Sequence, residues 1–183
     1  MNIVLGVTGS IAAYKACDIA NRLTKDGHSV KVIMTKGGME FVTPLTFRTL
    51  TKNRVYTDTF GDHDPQYVEH IHLAEEADLF LVAPASADFI AKAACGIADD
   101  MLTSTVLAFR DKPIVVCPAM NTNMYENPVT QRNVNTLKEL GYTIIEPKTD
   151  HLACGTYGRG ALQNVDVIIS ETERILGEIN KPE

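Results

Sequence analysis

The chain has 183 residues, a formal net charge of −6, and a composition that is 45% hydrophobic and 22% charged. That length suits one domain, 1–183, which buries roughly 70% of its unfolded surface without disulfide or metal staples. The acidic balance with scattered Lys and Arg argues against a nucleic-acid partner, and no apolar run approaches the roughly 20 residues that a membrane span needs.

Asn2 to Val7 is a short apolar run with no basic leader ahead of it, which implies a cytoplasmic location. Thr8-Gly9-Ser10 breaks the run, and Ile11 to Lys25 carries apolar residues at helical spacing, giving strand, turn, helix. The turn sets Ser10 at the helix amino cap, where unpaired N–H groups and the helix dipole suit an anion. A phosphate site and a plain capping serine both fit. Strand Ser29 to Thr35 ends in Met34-Thr35-Lys36 without an acid to hold ribose hydroxyls, and Gly6-Val7-Thr8-Gly9 is not G-x-G-x-x-G. A dinucleotide is disfavoured and a mononucleotide such as FMN favoured, with Thr35 either meeting its phosphate or closing its own turn.

Gly37 to Leu50 reads as a helix interrupted near Pro44, with Phe41, Leu45, Phe47 and Leu50 inward. The polar stretch to Tyr67 reads as a long loop, in which His63 is solvated or, beside its acidic neighbours, a metal ligand. His70 and His72 stand on a short helix or turn before the strand Leu79 to Ala83. Two apart, they suit shared metal ligation poorly; they are a surface pair, or one is a general base. Pro84-Ala85-Ser86-Ala87-Asp88 repeats the arrangement of Gly9-Ser10, so in a parallel sheet two small polar turns converge on one crevice. Asp99-Asp100 starts a helix through Phe109 that places Thr103, Ser104 or Thr105 to reach a ligand.

Lys112 to Cys117 is a core strand that delivers Pro118-Ala119-Met120-Asn121-Thr122-Asn123-Met124. Asn121 is either a site residue beyond that strand's carboxyl end or, with Asn123, a cap for the helix starting near Asn127, which Gly141 stops. Tyr142 to Glu146 is a fifth strand. The alternation predicts an α/β, doubly wound fold with a flavodoxin/Rossmann-like, mostly parallel sheet and helices on both faces. Residues 148–163 are glycine-rich and carry Cys154 outside any apolar periodicity, as in a mobile flap over a site or a surface loop with an incidental thiol. Cys17, Cys95 and Cys117 fall in apolar patterns, and none of the four cysteines has metal-like spacing, so no metal is expected. Val165 to Ile179 is a closing amphipathic helix.

Gly9-Ser10-Ile11-Ala12-Ala13-Tyr14-Lys15, His70-Ile71, Pro84-Ala85-Ser86-Ala87, the Pro118 to Tyr125 segment and Ala153-Cys154-Gly155 together resemble the homo-oligomeric flavin-containing cysteine decarboxylases, in order and over nearly the whole chain. The resemblance implies FMN in the crevice, touched by Gly9, Ser10, Ile11, Thr35, Phe41, Ser86, Ala87, Ser104 and Met120. It implies His70 as the active-site base, Asn121 as binder of the substrate cysteine carboxylate and Cys154 as proton donor, with Met124 and Ala153 beside the substrate. It further implies a homo-oligomer, a trimer or a dodecamer built from trimers, with sites between subunits and a small-molecule substrate.

Such a flavin gives the substrate an electron sink: oxidising the thiol to a thioaldehyde puts the carboxylate β to C=S, and loss of carbon dioxide leaves an enethiolate. Reduced flavin and a proton then yield the saturated thiol. Cys154 favours the branch that converts 4′-phosphopantothenoylcysteine to 4′-phosphopantetheine for coenzyme A over the lantibiotic peptidyl-cysteine branch, which stops at the enethiol. The short ending Asn180-Lys181-Pro182-Glu183 favours an enzyme over related non-catalytic regulatory subunits with long acidic tails, and a stand-alone decarboxylase without a ligase domain. Flavin prenyltransferases lack the P-x-M-N segment. Five positions depart from the family: His72 replaces a common glutamate, leaving either imidazole as the base; Glu75 and Glu76 replace basic residues of the plant enzyme, so another group must meet a substrate anion there; Asp88 and Asp99 replace asparagines.

Overall fold

The computed structural model describes residues 1–60, 68–153, 155 and 157–179; His63 and Cys154 lie outside them. Strands β1 (Asn2–Val7), β2 (Ser29–Met34), β3 (Val55–Tyr56), β4 (Leu79–Ala85), β5 (Ile114–Pro118) and β6 (Thr143–Ile144) form one parallel sheet in the order β3-β2-β1-β4-β5-β6. Chain direction across the sheet reverses between β1 and β4, the switch point beyond whose carboxyl ends open α/β sheets bind ligands. The helices are α1 (Ala13–Lys25), α2 (Lys36–Met39), α3 (Pro44–Thr51), α4 (Glu69–Glu76), α5 (Ala87–Cys95), α6 (Met101–Ala108), α7 (Thr122–Glu126), α8 (Pro128–Glu139) and α9 (Val165–Ile179).

Alternation along the strands divides the interior into two cores. Ile3, Leu5, Leu79, Leu81, Val115 and Cys117 face one side, where Ala16, Ile19 and Leu23 of α1 and Ile168 and Leu176 of α9 cover them. Val4, Phe80, Val82, Ile114 and Val116 face the other, under Leu73 of α4, Phe89 of α5, Leu102 and Val106 of α6, and Leu137 of α8. With both faces covered, the central strands can be nearly uninterrupted apolar runs, as β1 and β4 are. On α1 the buried Ala13, Ala16, Ala20 and Leu23 keep the three-and-four spacing of a one-faced helix.

Several expectations change. The break near Pro44 is complete: α2 ends at Met39 and α3 starts with Pro44 at its first turn. A helical period cannot be carried across that break, so Phe47 is buried while Phe41 and Leu45 are 49% and 60% exposed rather than inward. The polar stretch after α3 contains edge strand β3, and the fifth strand of the sequence reading shortens to the two residues of β6. Residues 148–163 are not a plain loop. Strand β7 (Lys148–His151) pairs antiparallel with β8 (Tyr157–Ala161), a hairpin apart from the main sheet.

Candidate active-site cleft

The cleft is built where β1 and β4 end side by side. Thr8, 1% exposed, uses its hydroxyl twice: Oγ1 donates to the Pro84 carbonyl at 2.8 Å and accepts the Ser86 N–H at 2.8 Å. Its own N–H also reaches the Pro84 carbonyl, at 3.3 Å. This one side chain therefore stitches the turn after β1 to the turn after β4. Ser86 then caps α5, its Oγ accepting from Phe89 N–H at 3.3 Å.

Ser10 differs from the expectation. The helix starts at Ala13 after Ala12, and Ser10 lies two residues further out, its Oγ accepting the Ala12 N–H at 3.3 Å in a local turn. Gly9 lies against Gly37, where a Cβ on Gly9 would sit 3.1 Å from the Gly37 Cα. That contact draws the α2 turn up to the β1 turn. Thr35 caps this turn, accepting from Gly38 N–H at 3.2 Å. Bonding within its own turn thus occupies Thr35, but it still lines the cleft.

Beyond β5, Asn121 is the amino cap of α7, with Oδ1 accepting the Asn123 N–H at 2.9 Å. Asn127 separately caps α8 through the Val129 N–H at 2.9 Å, with Pro128 in the first turn. The two asparagines of the motif therefore do not cap α8, and Asn123 contributes only its backbone donor. The cap bond engages Oδ1 of the Asn121 amide, and the residue lines the smaller of the cleft's two cavities.

Strand β8 is seated directly on this loop. Met120 N–H donates to the Gly160 carbonyl at 2.9 Å. A Cβ on Gly160 would collide with the Met120 carbonyl, and one on Gly158 would sit 2.9 Å from Thr122 Cγ2, so both approaches require glycine. Beside this seat Tyr125, 2% exposed, donates its hydroxyl to Glu146 Oε2. Lys138 Nζ reaches Glu146 Oε1 at 2.6 Å and Arg159 Nη2 reaches Oε2 at 3.0 Å. Burial, then the neighbouring Glu146 carboxylate, push the Tyr125 hydroxyl up to about 12. Burial works against the Glu146 carboxylate, but the bonds from Lys138 and Tyr125 hold it below its ordinary value.

Two adjoining cavities, about 660 and 450 Å³, fill the switch-point crevice and share Gly9, Ser86, Ala87 and Met124. Thr35, Lys36 and Thr103 line the larger, together with Asp88 and Asp99, whose charges Lys92 Nζ meets at 3.2 Å each. Ser10, Ile11, Phe41, Met120, Asn121 and Ala153 line the smaller. The exposed ring of Phe41 is thus cleft wall and not core. Two expected site residues fall elsewhere. Ser104 lines neither cavity, whereas its neighbour Thr103, in a capping box with Asp100, does. His70, on the first turn of α4, also lines neither cavity; His72 faces Glu76 at 3.2 Å. Sequence reasoning missed Thr8, Gly37, Lys92, Glu146 and Arg159. A β-branched hydroxyl closing a buried strand is the signal that could have singled out Thr8.

The backbone donors at the two turns and the start of α1 fit a phosphate, and Met120, Phe41 and Ala119 offer an apolar wall to a flat ring. Strand β2 ends at Met34 and is followed by Thr35-Lys36, with no carboxylate there for a dinucleotide's ribose. Fold and cleft together define a mononucleotide-type α/β flavoprotein. A family model described as Flavoprotein matches residues 1–177, and the chain belongs to that family.

Among curated relatives, the chain is 51% identical over 175 residues to a probable phosphopantothenoylcysteine decarboxylase of Streptococcus mutans, covering 95% of this chain and 98% of that one. It is 47% identical over 177 residues to the coenzyme A biosynthesis bifunctional protein CoaBC of Bacillus subtilis, covering 97% of this chain and spanning 43% of that relative. Among solved structures, it is similar to a PPC decarboxylase cysteine-to-serine mutant complexed with pantothenoylaminoethenethiol: TM-score 0.88, 35% identity, 97% of this chain and 98% of that one. It is also similar to the FMN binding protein AtHal3: TM-score 0.85, 34% identity, 99% and 98%.

Proposed function

We propose that this chain is an FMN-dependent decarboxylase that converts 4′-phosphopantothenoylcysteine to 4′-phosphopantetheine in coenzyme A biosynthesis. The observation that carries the reading is one continuous crevice in which Asn121, Met124 and Ala153 stand beside the two small polar turns. The family and the relatives support flavin chemistry and the substrate class.

FMN would be held by Gly9, Ser10 and Ile11 at the β1 turn, by Ser86 and Ala87 at the β4 turn, by Thr35 at the turn after β2, and by Phe41 and Met120 along its ring. When bound, it supplies a two-electron sink and later returns the same electrons. Asn121 orients the carboxylate that leaves, its Nδ2 donating while the cap bond fixes the amide. Ala153 lines the cleft, and the thiol of Cys154, the next residue in the chain, would supply the proton in the reductive half.

His70 is the base of the oxidative half, delivered from a neighbouring copy of the chain. Its absence from its own chain's cavities supports this, as does the exposed apolar surface on α4 and the α6 helix packed against it, where Val68 before α4 and Leu107 on α6 are 60% and 61% exposed. The active unit is then a homo-oligomer, a trimer or a dodecamer of trimers, acting in the cytoplasm. No helix among the described residues is long and apolar enough to cross a membrane. Incubating the purified protein and FMN with phosphopantothenoylcysteine should yield carbon dioxide and phosphopantetheine, and His70→Asn should abolish both. An enethiol end product would instead indicate a peptidyl-cysteine-type enzyme.

A further inference from the structure

We propose that Arg159, Glu146 and Tyr125 form a positioning cluster that seats β8 on the Asn121 loop and so sets how much product leaves as the saturated thiol. The proposal rests on the reaction given above for its chemical consequence, but the seating itself stands on geometry alone.

Strand β8 meets the loop through Gly158, which lies against the Thr122 side chain, and Gly160, which lies against the Met120 and Asn121 backbone, and neither brings a side chain to the contact. One backbone bond, Met120 N–H to the Gly160 carbonyl, crosses there. The residue between the two glycines supplies what they lack. The Arg159 guanidinium lies 5.4 Å from the centre of the Tyr125 ring and donates to Glu146 at 3.0 Å. The same carboxylate takes the Tyr125 hydroxyl and the Lys138 ammonium, so donors from α7, α8 and β8 meet on one acid.

Both ends of this lock are fixed to the body of the protein. Tyr125 is 2% exposed, and its carbonyl accepts from Gln131 of α8 at 2.6 Å. Glu146 follows Ile145, whose N–H bonds to the Val116 carbonyl of β5 at 2.9 Å. None of the three residues lines either cavity, so their influence on the reaction passes through the placement of the hairpin that carries Ala153.

In the proposed reaction the enethiol takes up two electrons and two protons to become the thiol, and the electrons are those the substrate thiol gave up earlier in the same turnover. Oxidation and loss of carbon dioxide come before this step. A hairpin that leaves its seat therefore spares carbon dioxide release and allows the enethiol to depart unreduced, and the two electrons left behind pass to dissolved dioxygen before the next turnover.

The test compares Arg159→Met, which keeps the aliphatic stem, with Arg159→Lys, which keeps the charge. For a half-exposed ion pair and one cation–π contact, loss of the guanidinium should speed hydrogen exchange at the Met120 amide roughly three- to tenfold. The Val116 amide in β5 serves as the unchanged control. With phosphopantothenoylcysteine in air-saturated buffer, where dioxygen takes up the electrons not returned to product, Arg159→Met should release carbon dioxide within about twofold of the parent rate while its enethiol-to-thiol ratio rises several-fold, and Arg159→Lys should recover much of the parent's exchange and product ratio. Unchanged exchange at Met120 overturns the seating. A fall of carbon dioxide release in proportion to thiol formation overturns the link to product partition and leaves a scaffold role. If the parent protein releases no carbon dioxide, the proposed reaction fails and the exchange measurement alone decides the seating.

Discussion

Removing the Thr8 hydroxyl should loosen the crevice more than any change in apolar volume at that position. Thr8→Val keeps the shape but leaves the Ser86 N–H without its acceptor, while the Pro84 carbonyl retains the weaker 3.3 Å bond from the residue 8 N–H. An unmet buried donor costs about 1–3 kcal/mol and a lost ordinary hydrogen bond about 0.5–1.5 kcal/mol, so the substitution should cost about 2–4 kcal/mol. Thr8→Ser keeps the oxygen and gives up one methyl group, worth about 1 kcal/mol. Urea unfolding of the FMN-free protein measures both, and a loss of that size should lower the valine variant's midpoint by roughly 1–2 M. FMN affinity should fall with it, because Ser86 and the α5 amino end would no longer be held against the β1 turn. A valine variant within about 0.5 kcal/mol of the parent, or a serine variant as weak as the valine one, would refute the stitching role.

Three further outcomes follow from the structure. Gly160→Ala places a Cβ against the Met120 carbonyl, a backbone atom that cannot yield, at φ +156; it should undock β8 and expose the Met120 amide to exchange while the main sheet stays protected. The Glu146 carboxyl is held below its ordinary 4.5 in the fold, so its contribution is full above that value and is lost as pH falls through the folded pKa. Hairpin protection should accordingly decline in acid below about pH 4.5 in the parent and lose this dependence in Glu146→Gln, read by amide exchange. Cys95 is exposed whereas Cys117 is fully buried with its thiol pushed far up by desolvation, so iodoacetamide should label Cys95 in the native protein and Cys117 only after unfolding.

The parallel sheet was legible because β1, β4 and β5 are buried on both faces and carry unbroken apolar runs between helices of clear period. Edge strand β3 was not, since two residues with one covered side leave no pattern to read, and β6 was placed correctly but read three residues too long. The hairpin escaped for a different reason. Gly158 and Gly160 look like loop residues, yet β8 packs through them against the Thr122 side chain and the Met120 backbone, a tertiary fact that local propensity cannot carry. Of the site, the two turns and the Asn121 segment could be placed from strand ends alone, and they do adjoin. The shift from Ser104 to Thr103 is one residue on a helix, about 100° of rotation, beyond what a capping pattern resolves without the sheet beneath it. That His70 lines neither cavity was not legible, because chain order sets the residue on a short helix without fixing which side of that helix meets the cleft.

The proposed chemistry is tested most directly by the fate of phosphopantothenoylcysteine on the purified protein carrying FMN, with Asn121→Asp as the paired variant. The proposed reaction requires stoichiometric carbon dioxide and phosphopantetheine from the parent, and a loss of at least about a hundredfold, roughly 2.7 kcal/mol, when the amide that orients the carboxylate becomes a like charge. A parent that retains FMN yet leaves the substrate intact, or an Asn121→Asp variant that turns over at the parent rate, would contradict it.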